Sequence, residues 1–147
     1  MEKITSAQNP KIKALMELQG KSRARREAGL FVVEGRREIE HCLEGGYELS
    51  SVFHCPEILP ELPSGIDEGI VFELSSSVYG KVAYREGTEG IIAEVRSKSL
   101  GLDGLAALLE GRENPLLMVL ESVEKPGNLG AVLRSADAAG ADAVLIC

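Results

Sequence analysis

At 147 residues the chain suits one domain of ordinary size, or one domain and a further piece, and its 44% hydrophobic and 27% charged residues describe a globular protein. No apolar run approaches the ~18 residues of a membrane-spanning helix, and MEKITSAQNPKIKAL lacks the apolar core of a signal peptide, so a cytoplasmic location is expected. The net charge of −7 argues against a polyanionic partner until its distribution is read.

Residues 1–30 carry seven cations (Lys3, Lys11, Lys13, Lys21, Arg23, Arg25, Arg26) against three acids (Glu2, Glu17, Glu27), whereas the remainder carries nine against twenty. A basic arm that meets phosphate and a solvated helix face both fit that asymmetry. Asn9-Pro10 opens the first predicted helix, with Asn as N-cap and Pro at the first helical position. Ile12, Leu15, Met16 and Leu18 form its apolar stripe, and Gly20 ends it. KSRARREAG continues as a short polar helix or a basic linker.

LFVV (30–33) reads as a buried strand followed by a Glu34-Gly35 turn. A second helix, 36–44, sets Ile39, Cys42 and Leu43 on one side and closes at Gly45-Gly46. SVFH (51–54), IVFEL (70–74) and GIIAEV (90–95) are strand-like, with a Pro-rich loop after the first and a Ser-capped helix, SSSVYGKVA, before the last. This alternation predicts a three-layer α/β domain over residues 1–97.

Residues 98–113 read as a linker holding a short helix, LDGLAALLE, capped by Asp103. LLMVLE (116–121) is a near-continuous apolar strand of the kind buried in parallel sheets. The loop SVEKPGN leads into helix LGAVLRSADAAG, and ADAVLIC opens the next strand, which makes a βαβ unit. Residues 114–147 are fewer than the ~40 that usually fold alone, so they are expected to open a larger, incomplete domain. The three cysteines (Cys42, Cys55, Cys147) make an odd count without framework spacing, and buried reduced thiols are expected. His41-Cys42 and His54-Cys55 look like paired soft ligands, but adjacent residues rarely point at one ion, so no metal is expected.

The loop ESVEKPGNLGAVLR concentrates unusual residue types. Pro126 stiffens its entry, and Gly127 allows a backbone that other residues resist. Asn128 stands at the helix mouth, where it caps free N–H groups or holds a ligand. Gly130 and Ala131 keep the helix close to the sheet, and Arg134 lies six residues past Asn128 as the only cation of the helix. The spacing matches neither a phosphate loop nor a dinucleotide fingerprint. From the residues alone the loop is a ligand-facing edge of a parallel strand with Asn and Arg candidates.

The stretch from Leu120 to Gly140, with Pro126-Gly127-Asn128, Gly130-Ala131, Arg134 and Ala136, resembles the first motif of SpoU/TrmH-type RNA methyltransferases of the SPOUT superfamily. SAQNPKIKAL (6–15), FVVEGRREIE (31–40) and GTEGIIAEV (87–95) resemble that family's N-terminal substrate-binding domain, whose fold is similar to small ribosomal and kink-turn-binding proteins. The resemblance implies methyl transfer from S-adenosylmethionine to a ribose 2′-hydroxyl of rRNA or tRNA, by a protein that is a homodimer when complete. It implies catalytic roles for Asn128 and Arg134, with Glu124 in the same loop as a further candidate. Lys125 stands where the family often has an acid. Residues 114–147 would then be the start of a knotted parallel-sheet domain whose two later motifs, which form the cofactor pocket, are absent from these residues. No cofactor-binding residue is therefore named, and the chain alone is expected to be inactive. Lys11, Lys13, Lys21, Arg23, Arg25, Arg26, Arg36 and Arg37 are the candidate RNA-binding cations. Few aromatics and no Trp favour recognition of folded RNA by shape over a base-stacking platform. A non-catalytic RNA-binding module is the alternative; a third reading is a small α/β interaction protein.

Overall fold

The computed structural model describes residues 2–84 and 89–147, which fall into two compact units, 1–98 and 99–147. Gly87 and Thr88, at the head of the third matching stretch, lie outside the described residues.

The first unit contains β1 (Glu2–Ile4), α1 (Pro10–Gly20), α2 (Ser22–Ala28), β2 (Leu30–Glu34) and α3 (Arg36–Glu44). It continues with β3 (Leu49–His54), a 3-10 turn (Glu68–Ile70), β4 (Val71–Leu74), α4 (Ser76–Val82) and β5 (Ile91–Arg96). The strands form one sheet in the order β1-β4-β3-β5-β2. β1, β4 and β3 run parallel, while β5 is antiparallel to both β3 and β2.

Period-2 alternation gives this sheet two buried faces. Phe53 and Ile92 pack with Ile12 and Leu15 of α1 and Val78 and Tyr79 of α4. Val52, Ile91 and Ala93, one residue out of phase, pack with Ile39 of α3. Helices therefore cover the sheet on both sides. Local chemistry sets their ends. The Asn9 side chain accepts the Lys11 N–H at 2.9 Å, and Gly29 closes α2 in the left-handed region at φ 62°. Gly35 turns from β2 into α3 at φ 112°. Met16 departs from the expected stripe. It is 46% exposed, because Ile12, Leu15 and Leu18 already fill the face of α1 toward the sheet.

The second unit contains α5 (Leu102–Leu109), β6 (Leu117–Leu120), α6 (Pro126–Ala138) and β7 (Ala143–Ile146). β6 and β7 pair in parallel from Leu117↔Ala143 to Leu120↔Ile146. Asp142 secures the start of the pair. Its carboxylate accepts the Leu116 N–H at 2.8 Å and an ion pair from Arg112, while its own N–H reaches the Leu116 carbonyl at 2.8 Å. At the end of α6 the Ala141 N–H returns to the Ala136 carbonyl at 2.9 Å, with Gly140 at φ 69°.

Three expectations for this unit need correction. Gly101, not Asp103, is the N-cap of α5, and Asp103 lies in the first turn, where its charge faces the positive helix end. β6 is not buried: Leu117 and Val119 are exposed, because a two-stranded sheet offers one strand no second layer on that face. Cys147 is exposed, in contrast to half-buried Cys42 and fully buried Cys55. Burial pushes the thiols of Cys42 and Cys55 up, which keeps both protonated and inert. No helix among the described residues is long and apolar enough to cross a membrane.

Candidate functional site

Of the three catalytic candidates, Glu124 lies in the loop between β6 and α6 and Asn128 and Arg134 lie on α6, and all three are exposed. Pro126 fixes the geometry here. Proline fits the first helical position, so the helix begins there and Lys125 becomes the N-cap. Asn128 is thereby drawn into the first turn, where its N–H donates to the Lys125 carbonyl at 2.9 Å. It is not the cap that the sequence suggested. Gly127 is helical as well, and a methyl group there would meet nothing within 4 Å. The unusual backbone of the loop sits instead at Ser122, which adopts φ 54°.

Arg134 is one turn beyond Gly130, and helical side chains lean toward the N-terminus. Its Nη1 lies 3.4 Å from where a Cβ on Gly130 would stand. Gly130 therefore gives the guanidinium room to lie back along the helix toward the loop. The expected role of Gly130 and Ala131 in close sheet packing is not what the structure shows: Ala131 is exposed, and Ala136 is the buried residue of α6. Glu124 precedes the helix in the same loop. Three exposed side chains do not enclose a cofactor, so no residue of this chain is assigned to S-adenosylmethionine.

The eight candidate RNA-binding cations separate into three kinds. Lys11 pairs with Glu2 at 2.8 Å and lies 4.6 Å from the Phe72 ring centre. Lys21 pairs with Glu17 at 2.8 Å, Arg23 with Glu27 at 2.6 Å and Arg36 with Glu40 at 2.8 Å, each one helical turn away. The carboxylates beside Lys21 and Arg36 raise their pKa values, so both cations stay charged. Arg25 is structural: its Nη1 donates to the Leu18 carbonyl at 2.7 Å and the Gln19 carbonyl at 3.2 Å, closing the end of α1. Lys13, Arg26 and Arg37 are exposed and have no ion pair among the described residues.

Sequence reasoning passed over a cleft of about 630 Å³ lined by Gln19, Arg25, Val32, Lys81 and Tyr84, among others. The one usable signal was Tyr84, an aromatic residue next to a charged run.

The mixed α/β architecture matches that of solved SpoU and RNA 2′-O ribose methyltransferase structures. The chain belongs to the family of the MRM3-like substrate binding domain, which it matches over residues 9–93. It is 58% identical over 59 residues to the 23S rRNA (guanosine-2′-O-)-methyltransferase RlmB of Photobacterium profundum, a match taking in 40% of this chain and 24% of that protein. A crystal structure of an RNA 2′-O ribose methyltransferase shares 37% identity at a TM-score of 0.70, over 99% of this chain and 55% of its own. The AdoMet complex of the SpoU methyltransferase AviRb from Streptomyces viridochromogenes shares the fold at a TM-score of 0.74 and 23% identity, over 95% and 53% of the two chains. The chain thus spans about half the length of these solved structures.

Proposed function

We propose that this chain serves an S-adenosylmethionine-dependent RNA 2′-O-ribose methyltransferase that acts on rRNA or tRNA in the cytoplasm, as a homodimer when complete. Residues 1–97 hold the RNA and are similar in fold to small ribosomal and kink-turn-binding proteins. Residues 98–113 are the linker, and 114–147 open the knotted catalytic domain. The observation that carries this reading is the Arg134 guanidinium laid back over Gly130 toward the Asn128 loop.

A ribose hydroxyl is a poor nucleophile, and oxyanion character develops on it as its proton leaves. Arg134 stabilises that charge and grips an adjacent phosphate with its planar fork. Guanidinium holds its proton too tightly to act as the base. Asn128, exposed in the first turn of the same helix, orients the ribose or the guanidinium, and Glu124 is the further candidate of the loop. Lys13, Arg26 and Arg37 supply phosphate contacts directly. The paired cations follow when RNA phosphate displaces their carboxylates. The three open side chains equally favour the reading of a non-catalytic RNA-binding module for the chain by itself.

Calorimetry separates these. S-adenosylmethionine titrated into the folded chain is expected to give no saturable heat, whereas RNA binds with an affinity that falls steeply with salt. Replacing Lys13, Arg26 and Arg37 by Glu should weaken that binding and flatten its salt dependence; affinity indifferent to salt would remove RNA from the reading. In an active, complete form, Arg134→Ala should lower turnover by about 10²–10³ with RNA affinity nearly unchanged. Normal turnover would end its assigned role.

A further inference from the structure

β2 is an edge strand, paired among the described residues with β5 alone. The Gly35 N–H donates to the Ile91 carbonyl at 3.1 Å and the Ser97 N–H to the Gly29 carbonyl at 2.8 Å, so 29/97 and 35/91 are bonded pairs of this antiparallel ladder. Alternation makes 31/95 and 33/93 bonded pairs as well. The N–H and C=O of Val32 therefore point away from β5, and they have no partner among the described residues. Residues 31–34 all line the 630 Å³ cleft, as only the free edge of a strand permits, since successive side chains face opposite ways.

The other walls are chemically distinct. Tyr84 is 91% exposed, while the five other aromatics pack in or against the core. Its backbone is nevertheless anchored, with its N–H donating to Glu34 Oε2 at 2.8 Å. Gln19 donates through Nε2 to the Val82 carbonyl at 2.7 Å, which leaves its Oε1 as an acceptor. Arg25 uses only Nη1 on α1, and Lys81 is exposed and has no ion pair among the described residues.

We propose that this cleft holds one unstacked RNA nucleotide, with the base laid on Tyr84, its edge read by the Val32 main chain, and its phosphate between Arg25 and Lys81. The inference rests on the RNA reading above and names where a single base is taken. A cleft of this size suits a nucleotide, since small-ligand pockets run to about 300–1,000 Å³. Alternation turns the backbone groups of residues 30, 32 and 34 away from β5, and those of Val32, at the centre of the strand, match one base edge, while one anchored aromatic ring matches one base face. Arg25 and Lys81 share the lining with the carboxylates of Glu34 and Glu38, and it is the exposed, anchored ring of Tyr84 beside two cations that favours a flat base carrying a phosphate over a polypeptide strand.

The test is a titration of the ribonucleoside monophosphates into the full chain, followed by NMR amide shifts. Shifts should saturate at millimolar concentration at residues 31–34 and Tyr84, and should weaken for nucleosides lacking the phosphate. Tyr84→Ala should reduce affinity about fivefold or more, Tyr84→Phe should retain it, and Lys81→Glu should erase the advantage of the phosphate. Absence of shifts at these amides, shifts confined elsewhere, or equal affinity of Tyr84→Ala each overturn the proposal. The same variants with an RNA stem-loop separate the two readings. Wild-type-like RNA binding by Tyr84→Ala, without nucleotide shifts, removes the cleft and leaves the RNA reading standing. A wild-type chain that takes nucleotides in the cleft but binds no RNA at low salt removes the RNA reading.

Discussion

The sequence offers the first and second units similar apolar segments, and the structure uses them differently. All buried hydrophobic residues except Ala136 lie before Lys98. After it, Leu100, Leu102, Leu116, Val119 and Ile146 are exposed, although LLMVL is as apolar as any segment upstream. The difference lies in the number of layers. Five strands with helices on both faces give each apolar side chain an opposing surface, whereas two strands with one crossover helix cover a single face. Apolar composition sets what a segment can bury, and neighbouring layers decide what it does bury.

Matched substitutions would break or sharpen that contrast. Leu15→Ala, at a fully buried site, is expected to cost about 2–5 kcal/mol, and Leu102→Ala, 73% exposed, to stay within about 0.5 kcal/mol, read from urea unfolding midpoints. Equal costs would mean that the second unit buries far more than its exposure shows. A glycine pair gives a smaller contrast. Gly90 adopts φ 73°, and a Cβ there would approach the Leu59 main-chain nitrogen to 2.8 Å, so Gly90→Ala carries both backbone strain and a clash. Gly140, at φ 69°, has open space, so Gly140→Ala should cost only about 1 kcal/mol, the backbone part alone. Similar losses at the two sites would argue that the 55–59 turn shifts readily.

The smallest effect is a pH dependence confined to the first unit. Glu94 is 8% exposed in the ladder between Val32 and Ser51, and burial raises its pKa above the ordinary value against the opposing pull of the Ser51 hydrogen bond. The folded chain therefore keeps a proton that the unfolded chain has lost. Its stabilising contribution is complete below about pH 4 and disappears as pH rises through the raised folded value. Glu94→Gln should flatten this slope and be more stable than wild type at neutral pH; an unchanged profile would show the carboxyl to be well solvated.

Much of the fold was legible because periodicity and breakers agreed. Asn9-Pro10 marked the start of α1, and the runs at β2, β3, β4 and β5 marked their strands. β1 was not legible: Glu2-Lys3-Ile4 has one apolar residue, and its strand character comes from pairing with residues 72–74 of β4. At the start of α6 two local rules competed. Asparagine prefers the cap and proline the first helical position, and the proline prevailed because its fixed φ already suits a helix. The i,i+4 pairing of Lys21, Arg23 and Arg36 could have been read from spacing, but the hold of Arg25 on the α1 carbonyls could not. It depends on the corner between two helices.

Those paired cations have a consequence for how the molecule meets a polyanion. A cation beside its own carboxylate acts at a distance as a dipole, whose field decays faster than that of a lone charge. Lys11, Lys21, Arg23 and Arg36 are thus nearly silent at long range. On a chain of net charge −7 the approach to nucleic acid is governed by the acidic body, so weak, indiscriminate adhesion to any passing strand is suppressed. For these four cations attraction switches on only within contact distance, where a phosphate can take the place of a carboxylate. For the proposed RNA partner, selection would thereby shift from the encounter to the lifetime of the complex.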